Sequence, residues 1–346
     1  MAALAQAPTE FLRGGDVSEI PEVEAEGGTY SYQGKKQDPF DLMKAAGWNF
    51  VRFRVWNEPK DGYCDKAHTL ALAKRAHAKG MKISIDFHYS DWWADPGKQN
   101  KPKAWKDLPF EDLVKAVREY TKDVIGALVA QGTPPYMVQI GNEIVGGMLW
   151  PDGRANSNDP EQWKRLGRLV EAGVKGVRDA EGKDRILTMI HLDRGADNKV
   201  SVWWFDHFLK TGVDFDTIGQ SYYPWWHGTL DQLKANLDDL AKRYKKDIYI
   251  VETAYPWCWD TAPGPHVYNG PKLEEGYAAT PEGQAKFLKK VEEIVRAVPD
   301  GRGKGILYWA PLWISTPKRH SHYHNLAVFD GEGKALPAVD VLGGKG

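Results

Sequence analysis

The chain has 346 residues, with 46 Lys+Arg against 47 Asp+Glu and a formal net charge of −1. That balance excludes a nucleic-acid binder, which needs a basic face to neutralise phosphates, and gives no electrostatic reason to dock on an acidic membrane. No apolar run approaches the ~18 residues of a transmembrane helix, and two cysteines, Cys64 and Cys258, are too few for a disulfide framework or a Cys-rich zinc site.

In chain order, MAALAQAPT carries no charged n-region and no apolar core of signal-peptide length. Residues 1–10 therefore read as a disordered tail or the remnant of a signal peptide, whose small-x-small end Ala3-Leu4-Ala5 would fit. The second alternative carries the expectation of a secreted or periplasmic protein. Residues 11–346 show eight strand-like runs: Phe11–Asp16, Phe50–Trp56, Lys82–His88, Tyr136–Asn142, Arg185–Leu192, Phe215–Tyr222, Ile248–Thr253 and Gly305–Ala310. Helical patterns fall between them, over Asp38–Ala46, Lys66–Lys79, Phe110–Ala130, Glu161–Ala180, Ser201–Lys210, Leu230–Tyr244 and Pro281–Val298. Gly47, Gly80, Gly132 and Gly212 sit just past last apolar turns, where a left-handed cap favours glycine. Thr280-Pro281 and Asp159-Pro160 read as helix starts.

Eight βα units without a low-complexity linker point to an α/β fold, a single (β/α)8 TIM barrel. A doubly wound sheet would show a Gly-rich phosphate loop after its first strand, and GGDVSEI is not one. In VRFRVW the alternation sends Val51, Phe53 and Val55 outward and Arg52, Arg54 and Trp56 inward. In KISIDFH it sends Ile83, Ile85 and Phe87 outward and Ser84, Asp86 and His88 inward. Buried charges are costly unless paired, so Arg54 with Asp86 is expected as an internal ion pair, with part of the inward charge serving carboxylates at the barrel mouth.

The 15 Trp are out of line with an ordinary composition. Several, including Trp92, Trp93, Trp150, Trp225 and Trp226, fall in polar loop sequence, which suits a cleft that stacks on flat, hydroxyl-rich ligands better than a core. Chemistry in this fold sits at the C-terminal ends of strands. Strand four ends in Ile140-Gly141-Asn142-Glu143 and strand seven in Ile250-Val251-Glu252-Thr253. A glutamate in register with a buried strand is not placed as a surface charge. Strands four and seven lie across a barrel from one another, so both side chains can converge on one bond. Two convergent carboxylates, one protonated and one ionised, are what glycoside hydrolysis requires.

At these residues the chain resembles glycoside hydrolase family 53, the endo-β-1,4-galactanases. The resemblance spans Phe11 to Leu342 and is carried by RGGDVS, VRFRVW, DFHYSDWWADP, GNE, LWPDGR, MIHLD, SYYP, VETAYPW and LYWAPLWI. It implies Glu143 as general acid/base and Glu252 as nucleophile of a retaining double displacement. It implies that Asn142 binds the sugar 2-hydroxyl and that Arg52 holds Glu252 ionised. His88 and Tyr222 would line the same subsite, Tyr222 bonding to the nucleophile, and Trp309 would form the platform beneath that sugar. Trp93, Trp150, Asp193 and His191 would contact neighbouring subsites. Ala310 stands where the family often has Glu, which puts one loop contact in doubt. The loop CWDTAPGPHVYNG offers one acidic residue, Asp260, so no calcium site is expected there.

His320, His322 and His324 alternate in KRHSHYHN and could share a metal, but the reading preferred is a polar loop, with no metal and no cofactor. The expected partner is a polysaccharide, β-1,4-galactan of pectin, and the expected state is a monomer. Rival readings are an endo-β-1,4-glycanase acting on mannan, xylan or glucan, and a barrel that binds carbohydrate without cutting it.

Overall fold

Apolar residues at every second position of eight short runs demand a sheet covered on its outer face, and closure into a cylinder removes its edges. In the computed structural model, which describes residues 10–259 and 273–346, eight parallel strands close in this way. They are β1 (Leu12–Asp16), β2 (Phe50–Val55), β3 (Lys82–Phe87), β4 (Met137–Ile140), β5 (Leu187–Leu192), β6 (Thr217–Tyr222), β7 (Asp247–Thr253) and β8 (Gly303–Tyr308). Each strand bonds to its sequence neighbours and β8 returns to β1. The fold is the (β/α)8 barrel expected from the sequence.

The helices that follow the strands are α1 (Pro39–Ala46), α2 (Lys66–Ala78), α3 (Phe110–Ala130), α4 (Pro160–Ala180), α5 (Asn198–Phe208), α6 (Leu230–Tyr244), α7 (Pro281–Arg296) and α8 (Ala338–Leu342). Their ends follow local chemistry. Asp38 caps α1 by accepting from the Phe40 and Asp41 amides, and Gly47 closes it at φ 103°, a left-handed turn that a side chain resists. Thr229 and Gln232 form a reciprocal capping box at α6. Helix α5 starts three residues before its apolar pattern because Asp197 accepts from the Val200 amide. The short α8, and a one-and-a-half-turn helix at Ile20–Ala25, carry too little periodicity to be read beforehand.

The barrel interior is layered. Leu12, Phe50, Met137, Met189, Tyr249, Val251 and Leu307 form a separate apolar plug at its lower end. Above them Arg52, Arg54, Ser84, Asp86 and His88 point inward, while Val51, Phe53, Val55, Ile83, Ile85 and Phe87 join the outer core, as the alternation requires. The expected Arg54–Asp86 pair does not form. Although the two residues are register partners, Arg54 turns to Asp16 at 3.0 Å. Asp86 instead accepts from Gln139 at 2.5 Å and faces His88 at 3.2 Å. Asp16 lies nearer because β1 closes over β2 from the other side. The segment before residue 10 and Asp260 in the possible calcium loop lie outside the described residues.

Candidate active site

Glu143 reaches the site through a tight turn after β4. Gly141 has φ 82°, and a side chain there would meet Ile144 Cγ2 at 2.6 Å. Glu143 itself holds φ 49°, ψ 52°, a left-handed conformation costing a non-glycine residue roughly 1–2 kcal/mol. That strain turns its side chain back over the barrel mouth.

Glu252 arrives differently. Along β7, Tyr249 and Val251 belong to the inner plug and Ile250 to the outer core. Strict alternation would send Glu252 outward. The register with β6 slips by one residue: Gln220 pairs with Ile250, but Ser221 pairs with Glu252. Val251 is the extra residue of a bulge, and the bulge returns Glu252 to the inside.

One carboxyl oxygen of each glutamate and one ring nitrogen of His191 lie within 4.8 Å of one another. Glu252 accepts from Arg52 Nη2 at 2.7 Å and from the Tyr223 hydroxyl at 3.1 Å. Arg52 also donates to Asp16 on β1 at 3.0 Å and to Gln139 on β4 at 3.1 Å. Among the described residues Glu143 accepts one bond, from the Ser221 hydroxyl at 2.7 Å. Burial pushes both carboxyls up. At Glu143 the Glu252 and Asp193 charges push further, and the Ser221 hydrogen bond opposes the rise. At Glu252 the charge and hydrogen bond of Arg52 oppose it. A proton shared by the pair therefore resides on Glu143.

Above the glutamates opens a cleft of about 740 Å³. Trp93, Asn142, Asp193 and Trp309 all border it. Burial, opposed by Arg194, raises the Asp193 carboxyl to about 7. Arg54 lies under the aromatic wall, 4.4 Å from the Trp93 ring and 5.5 Å from that of Trp309. Trp226 and Trp92 border the same cleft and are 72% and 46% exposed.

Four expected site residues stand elsewhere. Tyr222 points away from the cleft: its hydroxyl donates to the Gly228 carbonyl at 3.0 Å and its ring stacks on Phe287 of α7. The neighbouring Tyr223 makes the bond to Glu252, because Ile218, Gln220 and Tyr222 share the outward parity of β6. His88 is buried behind Trp56 and Trp93 and accepts from the Ala94 amide. His191 is fully buried, beneath Glu143 rather than beside a neighbouring subsite. Trp150 is half-buried, with its indole N–H donated to Gly146, and does not border the cleft formed by the described residues. Gln139, Ser221 and Tyr223 were not singled out in the sequence. The inward parity of Gln in VQI, and of Ser and the second Tyr in SYYP, is the signal that finds them.

Residues 12–342 match the sequence model of glycosyl hydrolase family 53. The chain belongs to glycosyl hydrolase family 53. A protein of Niallia circulans, named for the 5′ region of bgaB, is 45% identical over 343 residues, covering 96% of this chain and 93% of that protein. An arabinogalactan endo-β-1,4-galactanase of Thermothelomyces thermophilus is 37% identical, covering 95% and 98%. The family 53 catalytic domain of Ignisphaera aggregans superposes with a TM-score of 0.90 at 36% identity, covering 99% and 98% of the two chains.

Proposed function

We propose that this chain is an endo-β-1,4-galactanase that cuts galactan side chains of pectin with retention at the anomeric carbon. Within its family, the observation that carries this reading is that one oxygen of Glu143 and one of Glu252 lie within 4.8 Å of each other. Retaining enzymes hold theirs about 5–5.5 Å apart, whereas inverting ones need roughly 6.5–9.5 Å to seat a water between them.

Glu252, held by Arg52 and Tyr223, attacks the anomeric carbon. Glu143 gives its proton to the departing sugar oxygen as the C–O bond breaks. Esterification removes the Glu252 charge that raised Glu143, so Glu143 then takes a proton from water, and that water displaces the ester. Asn142 binds the 2-hydroxyl, Trp309 supports the sugar being cut, and Trp93 and Asp193 serve the subsites beside it. Trp92 and Trp226 offer stacking surfaces for further units of a polymer. The chain acts as a monomer, and a polymeric pectic substrate suits a protein working outside the cell or in a periplasm.

The test is proton NMR of the first anomer released from linear β-1,4-galactan. The β-anomer is expected first. An α-anomer first would overturn retention. No release from galactan, with mannan, xylan or cellulose cut instead, would overturn the substrate.

A further inference from the structure

The hydrogen bonds below Glu143 form a chain with a readable direction. Arginine donates and never accepts, so Arg52 Nη1 at 3.1 Å fixes the Gln139 oxygen toward itself. The Gln139 amide nitrogen must then face the other way. One of its hydrogens goes to Asp86 at 2.5 Å. The other faces His191 Nδ1 at 3.0 Å, Asn142 Oδ1 at 3.2 Å and the Gly141 carbonyl at 3.3 Å, of which His191 is the nearest. The Asn142 oxygen is fixed on that side because its nitrogen donates to the Ala94 carbonyl. The Glu143 amide also points at His191 Nδ1, at 3.4 Å. Asn142 Oδ1 also stands 3.0 Å from Nδ1, but two N–H donors, from Gln139 and Glu143, converge on that nitrogen against this one acceptor, and the balance makes Nδ1 an acceptor.

His191 is neutral, since burial and the Arg52 charge hold its pKa well below the ordinary imidazole value. Its proton sits on Nε2, which meets the Ser221 hydroxyl at 2.8 Å. A hydroxyl has one hydrogen. With His191 donating to it, Ser221 sends that hydrogen to Glu143 Oε1 at 2.7 Å. Oε1 is thereby an acceptor, and the acid proton is left to Oε2.

We infer that Ser221 and His191 are positioning residues that set which oxygen of Glu143 carries the proton, relaying a donor direction that begins at Arg52. The inference rests on Glu143 being the proton donor. Neither residue touches substrate: both are fully buried, and they act through Glu143. When Glu143 loses its proton, the Ser221 bond becomes charge-assisted and strengthens, so it favours the ionised state reached as the glycosidic bond breaks.

The experiment compares two substrates and two variants. Ser221→Ala is expected to lower kcat on galactan about tenfold, a fraction of the roughly 10²–10⁴ that general acid catalysis supplies, with KM unchanged. The basic limb of its pH profile moves up by about one unit, because the bond favouring the carboxylate is gone. On a dinitrophenyl β-galactoside, whose leaving group needs no proton, the rate of glycosyl-enzyme formation stays within about twofold. His191→Leu gives the same pattern at smaller amplitude, since Ser221 remains but loses its fixed direction. Equal losses on both substrates, or an unmoved basic limb, would overturn the inference. Glu143→Ala run in parallel separates this from a failure of the parent reading: if it too lost activity equally on both substrates, Glu143 would not be the donor. The tautomer is checked without any substitution by ¹⁵N NMR of histidine-labelled wild-type protein. A protonated Nε2 at His191 is expected, and a protonated Nδ1 would reverse the chain.

Discussion

At the scale of single residues, the two glutamates differ in what surrounds them rather than in what they are. Glu252 has a guanidinium and a phenol, Glu143 a single hydroxyl. Burial lifts both above the ordinary carboxylate value, so kcat/KM against pH is expected as a bell displaced upward. With the roles proposed above, its acid limb reports ionisation of Glu252, above 4.5, and activity falls on the basic side as Glu143 loses the proton it would donate. A flat profile from pH 4 to 9 would contradict the assignment. Tyr223→Phe removes one hydrogen bond to the ionised nucleophile, worth roughly 1.5–3 kcal/mol, and is expected to cost about tenfold or more in kcat/KM. Tyr222→Phe breaks only a bond to the Gly228 carbonyl and should leave kcat/KM within about twofold. Steady-state kinetics on galactan distinguishes the two, and the reverse order would place the wrong tyrosine in the site.

At the scale of elements, helix α4 governs how β4 presents its glutamate. A side chain at Gly176 would meet the Arg118 carbonyl of α3 at 2.5 Å, and one at Gly173 would meet Ile140 Cγ2 of β4 at 2.7 Å. Both alanine variants are expected to destabilise by about 1–3 kcal/mol through overpacking, read as a lowered denaturation midpoint. Only Gly173→Ala, which presses on the strand end that leads to Glu143, should also lower kcat per folded molecule. The same elements show what the chain discloses before it folds. Parity in VRFRVW locates Arg52 and Arg54 inside the barrel, and Gly141 marks the turn that ends β4. Two features lie beyond parity. The bulge at Val251 adds a residue that no local composition announces, and Glu252 faces the cleft only because of it. The choice of Asp16 over Asp86 by Arg54 depends on how β1 closes against β2, a contact between segments 38 residues apart. Tyr222 is a different case: parity already pointed it outward.

For the whole molecule, the barrel mouth concentrates buried ionisable groups that the reaction does not use. Glu19, fully buried beside Arg54, is pushed up to about 8 by loss of water. A carboxyl whose folded value exceeds its unfolded one contributes stability that is complete below about 4.5 and is lost as pH rises through about 8. Melting temperature should therefore decline across that window in wild type and decline less in Glu19→Gln. Identical slopes would show that Glu19 is ionised without penalty.

The short span between Glu143 and Glu252 has a thermodynamic corollary. In the mechanism proposed above, a negative charge disappears from one wall during glycosylation as another appears opposite, and the interior total does not change. Walls of low polarisability tolerate such an exchange because nothing must be resolvated; the field only rotates. Turnover should accordingly be nearly indifferent to added salt, whose ions act on exposed charge and scarcely on charge withdrawn from solvent. A steep dependence of kcat on ionic strength would mean that an exposed group shares the burden.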